Sequence, residues 1–223
     1  MLISKNTINN LQKEILLHFS ALRDSQQFYL AGGTALADFY LGHRKSYDLD
    51  LFTTEKELIV PFSYVFEEKF KNVYSVKVIR RFETFVEFEI SKETEAHKVQ
   101  LAYDSPFRFE KPIISDLGVM VNDYKDLMAD KVLAFFGRAE PRDAIDVFFI
   151  LKSEPFEELS RLAAQKDPGF DLYWFAVALE KTKSFPDEID RWPVEMLKEI
   201  NTLELKDKFA NLSIQIMERI RKC

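Results

Sequence analysis

Residues 31–50 read AGGTALADFYLGHRKSYDLD and leave a chain few ways to fold around them. A Gly-Gly-Thr turn opens a short apolar-faced helix, Thr34–Leu41, and Gly42 sits where such a helix stops. An extended run over Ser46–Phe52 follows, carrying Asp48 and Asp50 interleaved with Leu49 and Leu51. Side chains two apart on a strand point to the same side. The spacing therefore predicts two carboxylates on one face, with Leu49 and Leu51 entering the core from the other. Carboxylates so placed can share a divalent cation. The backbone N–H groups of the Gly-Gly-Thr turn suit a phosphate. Together these parts fit the handling of a metal–nucleotide complex.

The rest of the chain must supply a core for that unit, and 223 residues at 47% hydrophobic suffice for one large domain or two small ones. Its 21 Phe imply an aromatic-rich interior. Net charge is −6 and the pI about 5.3, so no global basic field attracts nucleic acid. RNA contact would need a local patch, for which Arg44, Lys45, Arg80 and Arg81 are the nearest cations. The single Cys, Cys223, excludes an intramolecular disulfide and a Cys-based zinc site and fits a reducing compartment. No apolar run approaches the ~20 residues of a membrane span, and the N-terminal stretch has no signal-peptide h-region. No membrane association is expected, and the expected location is the cytoplasm.

Periodicity divides the chain in two. Residues 7–23 place Ile8, Leu11, Ile15, Leu16, Phe19 and Leu22 on one helical stripe. Gln27–Ala31 reads as a short strand leading into Gly32-Gly33, and 55–71 as a helix started late by Pro61. Extended runs at 73–80, 84–90 and 97–103 are joined by short links, which predicts antiparallel pairing. The second alternates Phe85, Glu87 and Glu89 against Val86, Phe88 and Ile90. Asp104-Ser105-Pro106 is expected to end the sheet. Helices are expected near 123–137, 141–152, 155–166, 171–183 and 193–220, with Pro141 and Pro155 at first-turn positions. The Asp171–Leu179 segment, DLYWFAVAL, reads as core.

The acidic segment resembles the nucleotidyltransferase fold of the DNA polymerase β superfamily. It is more closely similar to the AbiEii/AbiGii toxin family, whose members carry GG[ST]-A-L and then G-H-R-x-S-x-D-x-D-L-F. Gly32, Gly33, Thr34, Ala35 and Leu36 match the first part, and Gly42, His43, Arg44, Ser46, Asp48, Asp50, Leu51 and Phe52 the second. The resemblance covers about residues 25–152 and includes Asp126 and Lys131, matching Asp-x4-Lys, and Arg138-x-x-x-Arg142-Asp143-x-x-Asp146.

The resemblance implies an α+β protein: a polymerase β-like catalytic domain with a small mixed or antiparallel sheet over 1–115, then a helical bundle over 116–223. It implies that Asp48 and Asp50 hold Mg²⁺ or Mn²⁺, and that Gly32, Gly33, Thr34, Arg44 and Ser46 bind the nucleotide. It implies that Lys131 offsets triphosphate charge and that Asp146, in the cleft, orients the acceptor or replaces a base. His43 needs no metal role, since hard oxygen ligands suit Mg²⁺. Lys131 projects from the apolar stripe of its own helix, so it either snorkels or points at phosphate. Arg142 and Asp146 are four apart, which an i,i+4 pair alone would explain; Arg142 and Asp143 are expected to lock the two halves together.

The chain departs from the family at the third carboxylate, where Lys98-Val99-Gln100 stands for Lys-x-Asp. An amide is neither anionic nor a useful base. Asp104 shares the strand parity of Gln100 and is one replacement. Glu87 or Glu89 could arrive from the preceding strand, although both read first as a solvent face.

The implied activity is metal-dependent transfer of NMP from an NTP to an acceptor hydroxyl, such as a tRNA end. The protein would be the toxin of a bacterial toxin–antitoxin or phage-defence pair, with a cognate antitoxin. The rival readings are transfer to a protein or small molecule, and a nucleotide- or partner-binding module whose catalysis Gln100 has weakened.

Overall fold

Asn9 and Gln12 set the first helix, α1 (Asn10–Ser20), through a reciprocal capping box in which each side chain accepts the other's backbone N–H. Leu11, Ile15, Leu16 and Phe19 are buried along it, as the helical stripe requires. The computed structural model describes residues 1–222, so Cys223 lies outside the described residues. The chain forms two units, Met1–Tyr124 and the remainder from Lys125.

In the first unit β1 (Tyr29–Leu30) runs into α2 (Gly32–Ala35), which continues as a π-helical turn over Leu36–Leu41. Gly42, at φ +61°, ends it and returns its N–H to Ala37 O at 2.8 Å. Then come β2 (Leu49–Thr53), α3 (Ile59–Phe70), β3 (Ser75–Phe82), β4 (Phe85–Lys92), β5 (Glu95–Tyr103), β6 (Ile113–Ile114) and β7 (Met120–Val121). They form one mixed sheet in the order β3-β4-β5-β2-β1-β7-β6. The β3–β4–β5 meander is antiparallel, as the short links predict. β2 lies parallel to β5, because α3 and the β3–β4 hairpin intervene and return the chain in the same direction.

One face of the sheet is core. Leu49, Leu51, Val86, Phe88, Ile90, Val99 and Leu101 are fully buried there. An aromatic cluster anchors the unit: Phe28 and Phe62 rings lie 4.5 Å apart, Phe66 and Phe70 3.9 Å, and Phe66 and Phe88 4.7 Å. Burying each such ring is worth about 1.5–3 kcal/mol. The sheet does not stop at Asp104-Ser105-Pro106. β6 and β7 extend it beyond β1, and the unit boundary falls after Tyr124 rather than at 115. Two-residue strands are too short to show a period of two, which is why they escape a reading of the sequence.

The second unit comprises α4 (Tyr124–Arg138, its first residue in the sheet unit), α5 (Pro141–Ile150), α6 (Phe156–Lys166), α7 (Leu172–Lys181) and α8 (Thr202–Lys222). Every α5 residue from Asp143 to Ile150 is buried, so this helix is the unit's centre. α8 starts at Thr202 rather than near 193, where the Asn201 side chain accepts the N–H groups of Leu203 and Glu204 at 3.0 and 3.2 Å. α7 is core on one face only. Phe175, Ala176, Ala178 and Leu179 are buried, whereas Trp174 is 61% exposed, with Tyr173 and Val177 also open. The all-round hydrophobicity of this segment had pointed to complete burial. No described helix is long and apolar enough to cross a membrane.

Candidate active site

Strand register turns the two-residue spacing of the aspartates into rows across the sheet. Asp50 on β2 stands beside Gln100 on β5, and Gln100 beside Glu87 on β4. One step back, Lys98 pairs with Glu89, which faces Lys77 on β3, and Asp48 immediately precedes β2. Asp48 and Asp50 are half-buried, on the face opposite Leu49 and Leu51. Tyr47, Asp48, Glu89, Ala96, His97 and Lys98 line a hollow of about 200 Å³ beside this face. The Asn9 amide, a donor, lies 2.8 Å from His97 Nε2, which must therefore accept. Burial lowers the His97 pKa, against the opposing pull of Glu95, the Tyr47 backbone and Asp48.

The glycine pair explains how the acidic strand and the helix come together. Gly32 lies at φ +67°, and a Cβ there would meet Asp50 Oδ2 at 2.1 Å. A Cβ on Gly33 would meet Arg44 Nη2 and Ser46 Oγ, both at 2.7 Å. Each glycine leaves room for a side chain of the second half of the motif. Thr34 completes the join, its buried hydroxyl donating to Asp48 O at 2.5 Å. That hydroxyl is thus engaged by the backbone just ahead of β2. Gln12 holds the loop from behind, its amide donating to Ser46 O at 2.8 Å. Arg44 is buried and donates to Lys45 O at 2.9 Å, so it is not part of an exposed basic patch.

Gly32→Ala is expected to reduce turnover at this site by about 10²-fold or more, since displacements near 1 Å at reacting groups have effects of that size. The left-handed backbone adds only about 1–2 kcal/mol of strain. Turnover measured beside a melting curve checks this, and wild-type turnover in the variant would contradict the packing described.

The structure corrects the candidates for the third carboxylate. Asp104 follows the end of β5, about 13 Å along the strand from Gln100 at ~3.3 Å per residue. Its carboxylate accepts from Tyr29 Oη at 2.9 Å and from Arg108 Nη2 at 3.0 Å, which commits it there. Glu87 is not a solvent-facing residue. It is 6% exposed, and Gln100 Nε2 donates to its Oε2 at 3.2 Å. Burial of Glu87 depends on the neighbouring strands, which local alternation does not reveal.

In the helical unit, Lys131 and Asp146 meet: Nζ lies 2.8 Å from Oδ2, with the two side chains 9% and 0% exposed. Lys131 therefore does not snorkel, and Arg142 is exposed rather than paired across one turn. Asp143 is gripped inside this unit by Arg138, whose Nε and Nη2 donate to its two oxygens at 2.6 and 2.9 Å. Buried Asp126 takes Lys166 at 3.0 Å, a partner the motif did not indicate.

The donor set fits a small divalent cation in kind. Asp48 and Asp50 offer hard carboxylate oxygens, and Gly32 makes room for the second of them. Among the described residues no three His, Cys, Asp or Glu side chains gather as metal ligands.

A strand, a glycine turn, a helix and an acid-bearing strand, set in a mixed sheet, define the polymerase β-like nucleotidyltransferase class. The family model described as "Nucleotidyl transferase AbiEii toxin, Type IV TA system" matches residues 14–213, and the chain belongs to this family. It is thus a nucleotidyltransferase of the toxin kind. An uncharacterized protein of Aquifex aeolicus (strain VF5), aq_aa25, is 28% identical over 185 residues, covering 79% of this chain and 82% of that one. MenT4, a nucleotidyltransferase toxin of Mycobacterium tuberculosis H37Rv, has a similar fold, with TM-score 0.64 and 14% identity over 93% of this chain and 82% of its own. JHP933 from Helicobacter pylori gives 0.58 and 17%, over 99% and 95%.

Proposed function

We propose that this protein moves a nucleoside monophosphate from an NTP to an acceptor hydroxyl, with Mg²⁺ or Mn²⁺, and that the acceptor is the end of an RNA such as tRNA. The observation that carries this reading is the interlock of the two motif halves, with Asp50 seated over Gly32, and Arg44 and Ser46 over Gly33. Asp48 and Asp50 would hold the cation, which when bound supplies positive charge to the α-phosphate and the leaving pyrophosphate. The first-turn N–H groups of Gly33 and Thr34 receive the β- and γ-phosphates. Arg44 and Ser46, packed against the same turn, fix its shape. Lys131 and Asp146, buried and paired with each other in the helical unit, hold that unit in shape.

Lys77, Lys98 and Arg80 are exposed on strands that carry the acidic rows. They give an RNA backbone cations despite the net charge of −6. A cognate antitoxin would be the protein partner. Gln100 favours one other reading, a nucleotide-binding module without turnover.

Each of the four NTPs, radiolabelled in the α-phosphate, is to be offered with total RNA and with total protein. Label on RNA that depends on divalent cation is the expected result. Label on protein alone would overturn the acceptor, and binding of NTP without transfer to anything would favour the module.

A further inference from the structure

Gln100 stands where this fold ordinarily places an acid, and the structure shows what holds it. Its Nε2 donates to Glu87 Oε2 at 3.2 Å, within a row that runs Glu87, Gln100, Asp50 across three strands. The contact runs from the amide nitrogen to a carboxyl oxygen, and in an amide only the nitrogen donates. Glu87 therefore fixes which way the amide is turned: the NH₂ towards β4, and Oε1 away from it. Glu87 is itself buried, so water competes little for this contact. Amide oxygens are hard donors that serve divalent cations beside carboxylates.

We propose that Gln100 gives its amide oxygen as a neutral third ligand to the cation held by Asp48 and Asp50, and that Glu87 is the positioning residue that orients it. This rests on the reading of Asp48 and Asp50 as the metal site. The carboxylate displaced from β5 is thereby retained one strand away, on β4, where it acts through the amide rather than on the ion. Such a site carries less negative charge than one with three acids. It binds its cation more weakly, and it has no proton acceptor at position 100. Orienting partners of this kind typically change metal affinity by about 10–100-fold.

The test is Mn²⁺ binding to the full chain, read from loss of the free-ion electron paramagnetic resonance signal, with circular dichroism confirming the fold of each variant. Gln100→Met, matched in length, is expected to lower affinity by about tenfold or more, and Glu87→Gln, nearly isosteric, by about tenfold. Gln100→Asp should raise affinity. In that background no amide remains for Glu87 to orient, so adding Glu87→Gln should lower affinity much less than it does in the wild type. A Glu87 that acted only through its charge or its packing would not lose its effect in this way. Unchanged Mn²⁺ binding in Gln100→Met, or an equal loss from Glu87→Gln in both backgrounds, would overturn the proposal. Asp50→Asn is the control for the reading beneath it. If that variant loses Mn²⁺ while Gln100→Met does not, only the third ligand is wrong; if neither loses it, the metal site itself is misplaced.

Discussion

Asp50→Asn is expected to reduce nucleotidyl transfer by a thousandfold or more while leaving thermal stability nearly unchanged, and Asp48→Asn to do the same. Charge stabilisation at a transferring phosphoryl group is worth several kcal/mol, and each ~1.4 kcal/mol is tenfold in rate. Asn keeps the shape that Gly32 accommodates and removes the charge. Both aspartates are half-buried and lie opposite the core face, so folding does not depend on them as it does on Leu49 and Leu51. The measurement is label transfer under saturating Mg²⁺–NTP, beside a melting curve. Turnover within tenfold of wild type in both variants would remove the two residues from the site.

Lys131→Ala should have the largest effect on stability, destabilising the helical unit by about 3–5 kcal/mol, the usual consequence of removing one member of a buried ion pair. Asp146 is fully buried and its Oδ2 lies 2.8 Å from the ammonium that would be lost. A role confined to binding phosphate would predict weaker nucleotide affinity with little change in stability. The expected result is therefore a large drop in the urea midpoint, much of it recovered when Asp146→Leu is added, since an apolar pair of similar volume is often neutral or stabilising. A midpoint equal to wild type in Lys131→Ala would show that the pair carries no structural load.

These two sites also show what a sequence can reveal. The alternation of Asp48, Leu49, Asp50 and Leu51 encodes a two-sided strand locally, and the strand forms over Leu49–Thr53 rather than Ser46–Phe52, with Asp48 just ahead of it. Apolar stripes likewise foretell α1 and most of the helical unit. Glu87 defeats the same method. Alternation assigns its face, but whether that face is open depends on β5 and on the parallel partner β2, which follow only from long-range pairing. The contacts of Lys131 with Asp146 and of Lys166 with Asp126 arise from packing between helices, and a motif names the residues without naming the pairing. The glycine pair was legible as a turn. Its further task, leaving space for Asp50, Arg44 and Ser46, appears only when both halves of the motif are side by side.

That shared space also bears on how a cell could escape such a toxin. Any missense change of one base in a glycine codon yields a residue with a Cβ. At positions 32 and 33 that atom intrudes on Asp50, or on Arg44 and Ser46, whichever residue is specified. Under selection for survival while the gene is expressed, codons 32 and 33 should thus collect inactivating changes of every chemical kind. At most surface codons the majority of substitutions would be silent. Harmless alleles recovered there would still yield full-length, folded protein, distinguishable by immunoblot from truncations.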